Sequence, residues 1–329
     1  MKTSPVYRTF ATALVAMVMT AAGSAQYGQL GRGVDDRQFT TELVKTGLYV
    51  ISGEAGNSVL RLSANGLILV DAKLPVDYNE LRARIRKLSN QPVRVVILTD
   101  HCGSDAGTAA KFIESGTRII AQERVCQNTP HSSLTDGKIE HPTLTYDNEY
   151  LLKMGGVEAQ LMHFGNARTN GDTIVYFPNL KVVAVGDLYA STPNPDFSRG
   201  GSLVGWGQVL TEVLKLDFDV VVPGTGPTVS RADLEAFKTK INKLVTRAAR
   251  LVKSGIPKDQ LMSQLKAEDF GWQLSFTPEQ VDHFYSELSQ SERGKSVGSG
   301  AGASQTSSQL SGWHSADPSQ STPLTAVTQ

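Results

Sequence analysis

Cysteine is scarce: the 329-residue chain has two, Cys102 and Cys126. A disulfide-dense scaffold is therefore excluded, and the pair leaves room for one bridge, two free thiols or two metal ligands. Net charge is absent as well, with 32 Lys+Arg against 32 Asp+Glu. That balance gives no electrostatic reason to expect a nucleic acid or an anionic membrane surface as partner. No apolar run reaches the length of a comfortable membrane span. No internal repeat recurs at a solenoid period. Against these absences stands a hydrophobic content of 40% with 19% charged residues. Those values exclude a wholly disordered chain and suffice for one large core or two modest domains.

The two ends differ from the middle. Lys2 and Arg8 precede an uncharged stretch, Phe10 to Ala22, which is followed by Gly23-Ser24-Ala25-Gln26. This is the outline of a secretory signal peptide, residues 1–25, with small residues where a signal peptidase needs them. It implies a secreted or periplasmic protein. From Gly294 to Gln329 the chain is rich in Ser, Gly and Thr without a hydrophobic period. Such a segment buries too little apolar surface to offset the entropy of ordering, so a disordered tail is expected over 294–329, with Trp313 and His314 isolated in it.

The body, 38–288, alternates strands with helices. Gly47 to Ile51, Ser58 to Leu62 and Gly66 to Asp71 have the pattern of an antiparallel meander, with an Asn65-Gly66 turn before the third strand. Tyr78 to Ser89 has helical spacing at Leu81, Ile85 and Leu88, and Val93 to Thr99 is a continuous apolar run suited to a buried strand. Ala106 to Glu114 is expected to be helical, and Thr117 to Ala121 a short strand. A second cycle runs through strands at Thr173 to Phe177, Val182 to Asp187 and Asp219 to Pro223, with a helix around Leu203 to Leu214 before the last. Amphipathic helices follow over Arg231 to Lys253, Lys258 to Leu265 and Pro278 to Leu288. Two sheet-then-helix passes predict an α/β fold of two sheets between helix layers. The cations of Arg231 to Arg250 have the pattern of a solvated helix face.

Five landmarks in this body resemble the metallo-β-lactamase superfamily. They are Val70-Asp71-Ala72, the loop from Thr99 to Gly107, Gly171-Asp172-Thr173-Ile174-Val175-Tyr176-Phe177-Pro178, Val185-Gly186-Asp187-Leu188, and Val222-Pro223-Gly224-Thr225-Gly226-Pro227. The resemblance implies an αββα sandwich and a metal-dependent hydrolase ancestry. It also assigns ligand positions. Where the family's main loop has Thr-His-x-His-x-Asp-His-x-Gly, this chain has Thr99-Asp100-His101-Cys102-Gly103-Ser104-Asp105-Ala106-Gly107. The ligand histidine of the next motif is Arg168, and that of the last is Thr225. Of the seven ligand positions only the bridging aspartate, Asp187, keeps the family residue. An arginine is a permanent cation without a lone pair to give a metal. Without a metal there is no bound water of lowered pKa, so the family's hydrolytic mechanism does not transfer.

What remains is a polar cluster of Asp100, His101, Cys102, Ser104, Asp105, Arg168, Asp187 and Thr225, with His163 beside it. In one reading Arg168 supplies the missing positive charge, bridging Asp187 and one of Asp100 or Asp105, buried against Asp187 with parallel hydrogen bonds near 2.8 Å, its loss costing roughly 3–5 kcal/mol. In that reading there is no cofactor. In the other, Asp100, Asp105 and Asp187, with Cys102 or His101, hold one non-zinc divalent cation such as Mg²⁺ or Ca²⁺. His163 is either a general base or a loop-holding histidine. His131 and His141 fall in a loop-rich stretch and His283 on the last helix. A nucleophile at Ser104 or Cys102 would need a base within reach. Because the family places the two strands side by side, a Cys102–Cys126 bridge is feasible. The expected function is a catalytically degenerate member binding a small molecule or a protein partner, neither identified, in the former active-site cleft. The alternative is a hydrolase of esters, thioesters, lactams or phosphate esters with an atypical metal site or none. A purely structural envelope protein tethered by its tail is a third possibility.

Overall fold

A computed structural model describes residues 39–72, 77–100, 111–112, 116–125 and 142–298. A first sheet of seven strands has the order β1-β2-β3-β4-β5-β6-β7, with β1 Thr40–Lys45, β2 Leu48–Gly53, β3 Gly56–Ser63, β4 Gly66–Val70, β5 Val93–Ile97, β6 Arg118–Gln122 and β7 Leu144–Tyr146. Its first four strands pair antiparallel and its last four parallel. A second sheet has the order β13-β12-β11-β10-β9-β8, with β8 Glu149–Met154, β9 Val157–Met162, β10 Ile174–Phe177, β11 Val182–Gly186, β12 Val220–Pro223 and β13 Val229–Ser230. The helices are α1 Tyr78–Leu88, α2 Leu203–Val213, α3 Arg231–Lys253, α4 Lys258–Leu265 and α5 Pro278–Gly298. Among the described residues no helix is long and apolar enough to cross a membrane.

The alternation of side chains explains the layering. Ile68 and Val70 of β4 point with Val95 and Ile97 of β5 to the inner face, where they meet Leu161, Val175 and Ala184 of the second sheet. Leu67 and Leu69 point the other way, against Leu81 and Ile85 of α1. Both faces are covered, so the strands are apolar throughout. The outer face of the second sheet, through Tyr176, Val183 and Val221, packs on Trp206, Leu210, Leu234, Ile241 and their neighbours on α2 and α3. The result is helix, sheet, sheet, helix, as predicted. The Asn65-Gly66 turn closes a hairpin in which Ser63 pairs with Gly66.

Three differences from the sequence expectation have local causes. Strand β1 has mostly exposed side chains and lies at the sheet edge, so it lacks the alternating signal. Strands β7 and β8 are also additions. Helix α5 continues through Gly298, past the expected start of the tail. A single glycine at 294 costs a growing helix only about 1 kcal/mol and does not stop it. The expected helix at 106–114, the signal segment and the tail beyond Gly298 lie outside the described residues, apart from helical Lys111 and Phe112.

Candidate functional site

Strand direction brings the landmarks to one edge. β4 and β5 run parallel, so Asp71 and Thr99 both lie just past their C-terminal ends. β11 and β12 run parallel, so Asp187 and Gly224 do the same in the second sheet. β10 is antiparallel to β11 and to β9, so the loop that precedes it, 163–173, returns to that edge with Arg168.

The edge is pinned by short polar links. Asp71 has a positive φ of 57°, a left-handed conformation that costs a non-glycine residue about 1 kcal/mol. Its carboxylate offsets this by accepting the Thr99 backbone N–H at 2.9 Å and the Thr99 hydroxyl at 2.8 Å. The Thr99 carbonyl in turn accepts from Thr173 N at 2.5 Å, which ties the first sheet to the loop of the second. Asn57, buried at the start of β3, donates from Nδ2 to the carbonyls of Pro223 and Gly226, each at 2.8 Å, and its backbone N–H donates to Gly224 O at 2.7 Å. Those bonds shape the loop that carries Thr225, whose side chain is exposed. A Cβ at Gly224 would run into the Asp187 carboxylate and crowd the Gly186 backbone, so a side chain there would force a shift.

In the centre, Asp172 is almost fully buried. Its carboxylate accepts the Thr169 N–H at 3.0 Å and the Thr169 hydroxyl at 2.7 Å. Burial pushes its pKa up to about 7, against those hydrogen bonds; the nearby Asp100 charge adds to the rise and Arg168 opposes it. Asp100 is buried, and its carbonyl lies 3.4 Å from the Thr169 hydroxyl oxygen, whose one proton goes to Asp172. Arg168 Nε lies 3.9 Å from Asp187 Oδ2, with side chains 27% and 35% exposed. The expected pairing partner is thus correct, and the expected geometry is not. The contact is one long ion pair at a solvated rim, where water competes for both charges, in place of a buried fork at 2.8 Å. The backbone at this point is firmly held, since Arg168 O accepts from Asp196 N at 2.8 Å.

His163 sits beneath this loop. It is buried, and its Nδ1 makes a 2.8 Å bond to the Asp172 carbonyl, which fixes Nδ1 as the protonated nitrogen. Nε2 is buried without a hydrogen-bond partner among the described residues. Burial holds its pKa below that of free imidazole. This is the loop-holding arrangement. The structure therefore gathers Asp100, Arg168, Asp172 and Asp187, with Thr225 on the adjoining loop. His101, Cys102, Ser104, Asp105 and Cys126, with His131 and His141, lie outside the described residues. His283 is on α5, stacked on Phe197 with ring centroids 6.0 Å apart. Asp172, Thr169, Asn57 and the Asp71–Thr99 link were not singled out by sequence. Asp71, Thr99 and Asp172 were visible only as parts of landmarks, Thr169 bonds Asp172 three residues on, and Asn57 depends on a loop 166 residues away.

The geometry admits a fit test for zinc. A zinc ion at the bridging aspartate would need lone-pair donors around it. At Asp187 the neighbour is a guanidinium, which has none and repels a cation. Among the described residues no group of three or more His, Cys, Asp or Glu is placed to hold a metal. The described donor set does not fit zinc.

The sandwich and the order of these loops define a fold family, and the comparisons agree. The model of the metallo-beta-lactamase superfamily matches residues 51–225, more than half of the chain. The chain belongs to that superfamily. It is 25% identical over 231 residues to the 2,4-dinitroanisole O-demethylase subunit alpha of Nocardioides sp. (strain JS1661), covering 66% of this chain and 70% of that protein. It is 23% identical over 222 residues to the metallo-beta-lactamase type 2 of Bacillus cereus, covering 65% and 82%. Among solved structures, a metallo-beta-lactamase from Pontibacter korlensis aligns with a TM-score of 0.53 at 17% identity, covering 62% of this chain and 99% of that one. Metallo-beta-lactamase IND-7 aligns at 0.52 and 21%, covering 62% and 98%.

Proposed function

We propose that this member of a hydrolase superfamily is an exported, catalytically degenerate protein that binds a small ligand or a partner in the former active-site cleft. The observation that carries the reading is the Arg168 guanidinium 3.9 Å from Asp187. It stands where the family resemblance calls for a neutral imidazole, and it supplies charge without supplying a coordination site. Elemental analysis after dialysis against zinc tests this. The expected content is well below one zinc per chain; one tightly held zinc per chain refutes the reading.

A hydrolase with an atypical metal or none is the second reading. Two buried carboxyl groups, Asp100 and Asp172, near the Arg168–Asp187 pair favour it. A panel of ester, thioester, lactam and phosphate-ester substrates, assayed with Mg²⁺, with Ca²⁺ and with chelator, distinguishes the two. Turnover sensitive to chelator moves the second reading ahead.

A further inference from the structure

Away from the cleft, α3 concentrates positive charge that the chain as a whole balances. Between positions 236 and 258 there are seven cations, from Lys238 to Lys258, and no acid. A solvated helix interleaves opposite charges at i and i+4. α3 does so once, where Arg231 meets Glu235 at 3.2 Å, and then stops. On its outer side a cavity of about 450 Å³ is walled by Lys243, Arg247 and Arg250, the hydroxyl-bearing Thr239 and Thr246, and Phe270.

The cations differ in how they are held. Arg247 Nη1 is anchored to the carbonyls of Leu265 and Lys266, at 3.0 and 3.1 Å, and to Asp269 Oδ2 at 2.8 Å. Its guanidinium lies 4.7 Å from the Phe270 ring centroid. These contacts fix the fork through one nitrogen and leave Nε and Nη2 without an acceptor among the described residues. Lys243 and Arg250 form no ion pair among the described residues, and both are exposed. Three cations and no carboxylate line the cavity, and Asp269 pairs with one of them, so among the described residues it carries an excess of about two positive charges.

We propose that this cavity binds a small organic phosphate. A guanidinium fork, flanking cations and the Thr246 hydroxyl together suit a tetrahedral dianion (the Thr239 hydroxyl is committed to the Glu235 carbonyl at 2.8 Å), and an orientated arginine loses little freedom on binding it. The volume exceeds that of a bare phosphate, and the Phe270 ring offers an apolar surface for the organic part. The phosphate could be carried by a free monoester or by a phospholipid headgroup, and the test separates these sources.

Isothermal titration of the full chain with phenyl phosphate, inorganic phosphate and pyrophosphate, at low and at physiological salt, provides the readout. Phenyl phosphate should bind more tightly than inorganic phosphate. The Lys243→Ala/Arg250→Ala variant should weaken it ~10-fold or more, as loss of two charge-assisted contacts requires. Lys240→Ala/Lys253→Ala removes the same charge from the same helix outside the cavity and should change it less than ~2-fold. Arg168→Ala should leave it unchanged, which separates this site from the cleft. Equal weakening by both double variants, or no binding of any probe, overturns the proposal. So does sedimentation with phosphatidylglycerol vesicles that Lys240→Ala/Lys253→Ala weakens as much as the cavity variant.

Discussion

Replacing Arg168 by alanine tests the central pair. At 3.9 Å two unit charges attract by about 4 kcal/mol at an effective dielectric of 20 and about 1 kcal/mol in water. Both side chains are about a third exposed, so the lower figure governs, and the entropy of holding a long side chain reduces it further. The structure adds one further contribution: without the guanidinium, Asp172 loses a nearby opposing charge. The backbone bond from Asp196 N to Arg168 O survives in alanine. Arg168→Ala should therefore cost about 1–2 kcal/mol, less than the buried pair expected from sequence. For a domain of this size that lowers Tm by roughly 2–8 °C. Urea unfolding at neutral pH measures it, and a cycle with Asp187→Asn isolates the coupling, which should be about 0.5–1 kcal/mol and shrink with salt. A loss above about 3 kcal/mol would mean that the pair is desolvated, and zero coupling would mean that the two groups do not interact. Either result refutes the reasoning.

Three other outcomes follow from particular contacts. Arg168→His should not restore zinc binding by elemental analysis, because one imidazole cannot complete a ligand set in which the other histidines are replaced. Asn57→Ala should destabilise by about 2–3 kcal/mol in urea unfolding, since it strips two carbonyls, Pro223 and Gly226, of their 2.8 Å donor. Stability against pH should show two opposed slopes. His163 is held below free imidazole, so below about pH 6.5 the unfolded chain takes the proton first and stability falls. Asp172 is raised to about 7, so its folded form keeps a proton that the unfolded chain releases from about pH 4 upward, and its contribution falls as pH rises to 7. Asp172→Asn should remove that second slope in urea melts across pH 5–8, and an unchanged profile would refute the assignment.

Much of this architecture was legible because it rests on local patterns. Apolar runs such as Val93–Ile97 announce strands buried on both faces, and the Asn65-Gly66 turn announces its hairpin. The site was legible only as positions. That Arg168 and Asp187 converge follows from the family resemblance and from β10 and β11 being antiparallel neighbours. How deeply they sit does not follow, because burial of a loop side chain is set by what covers it. The supports were invisible for the same reason: Asn57 reaches a loop 166 residues away, and Asp71 meets Thr99 28 residues on.

That division bears on how the cleft is to be understood. The links that shape it are the Asp71 clasp on Thr99, the Asn57 clasp on 223–226, Thr169 on Asp172 and the tight approach of Gly224 to Asp187. None of them depends on a metal, since every one is made between protein groups. The frame therefore does not rest on what stands at its mouth, where Arg168 and Asp187 pair. On the proposed reading, a frame built this way keeps the loops around Arg168 in place for binding without hydrolysis.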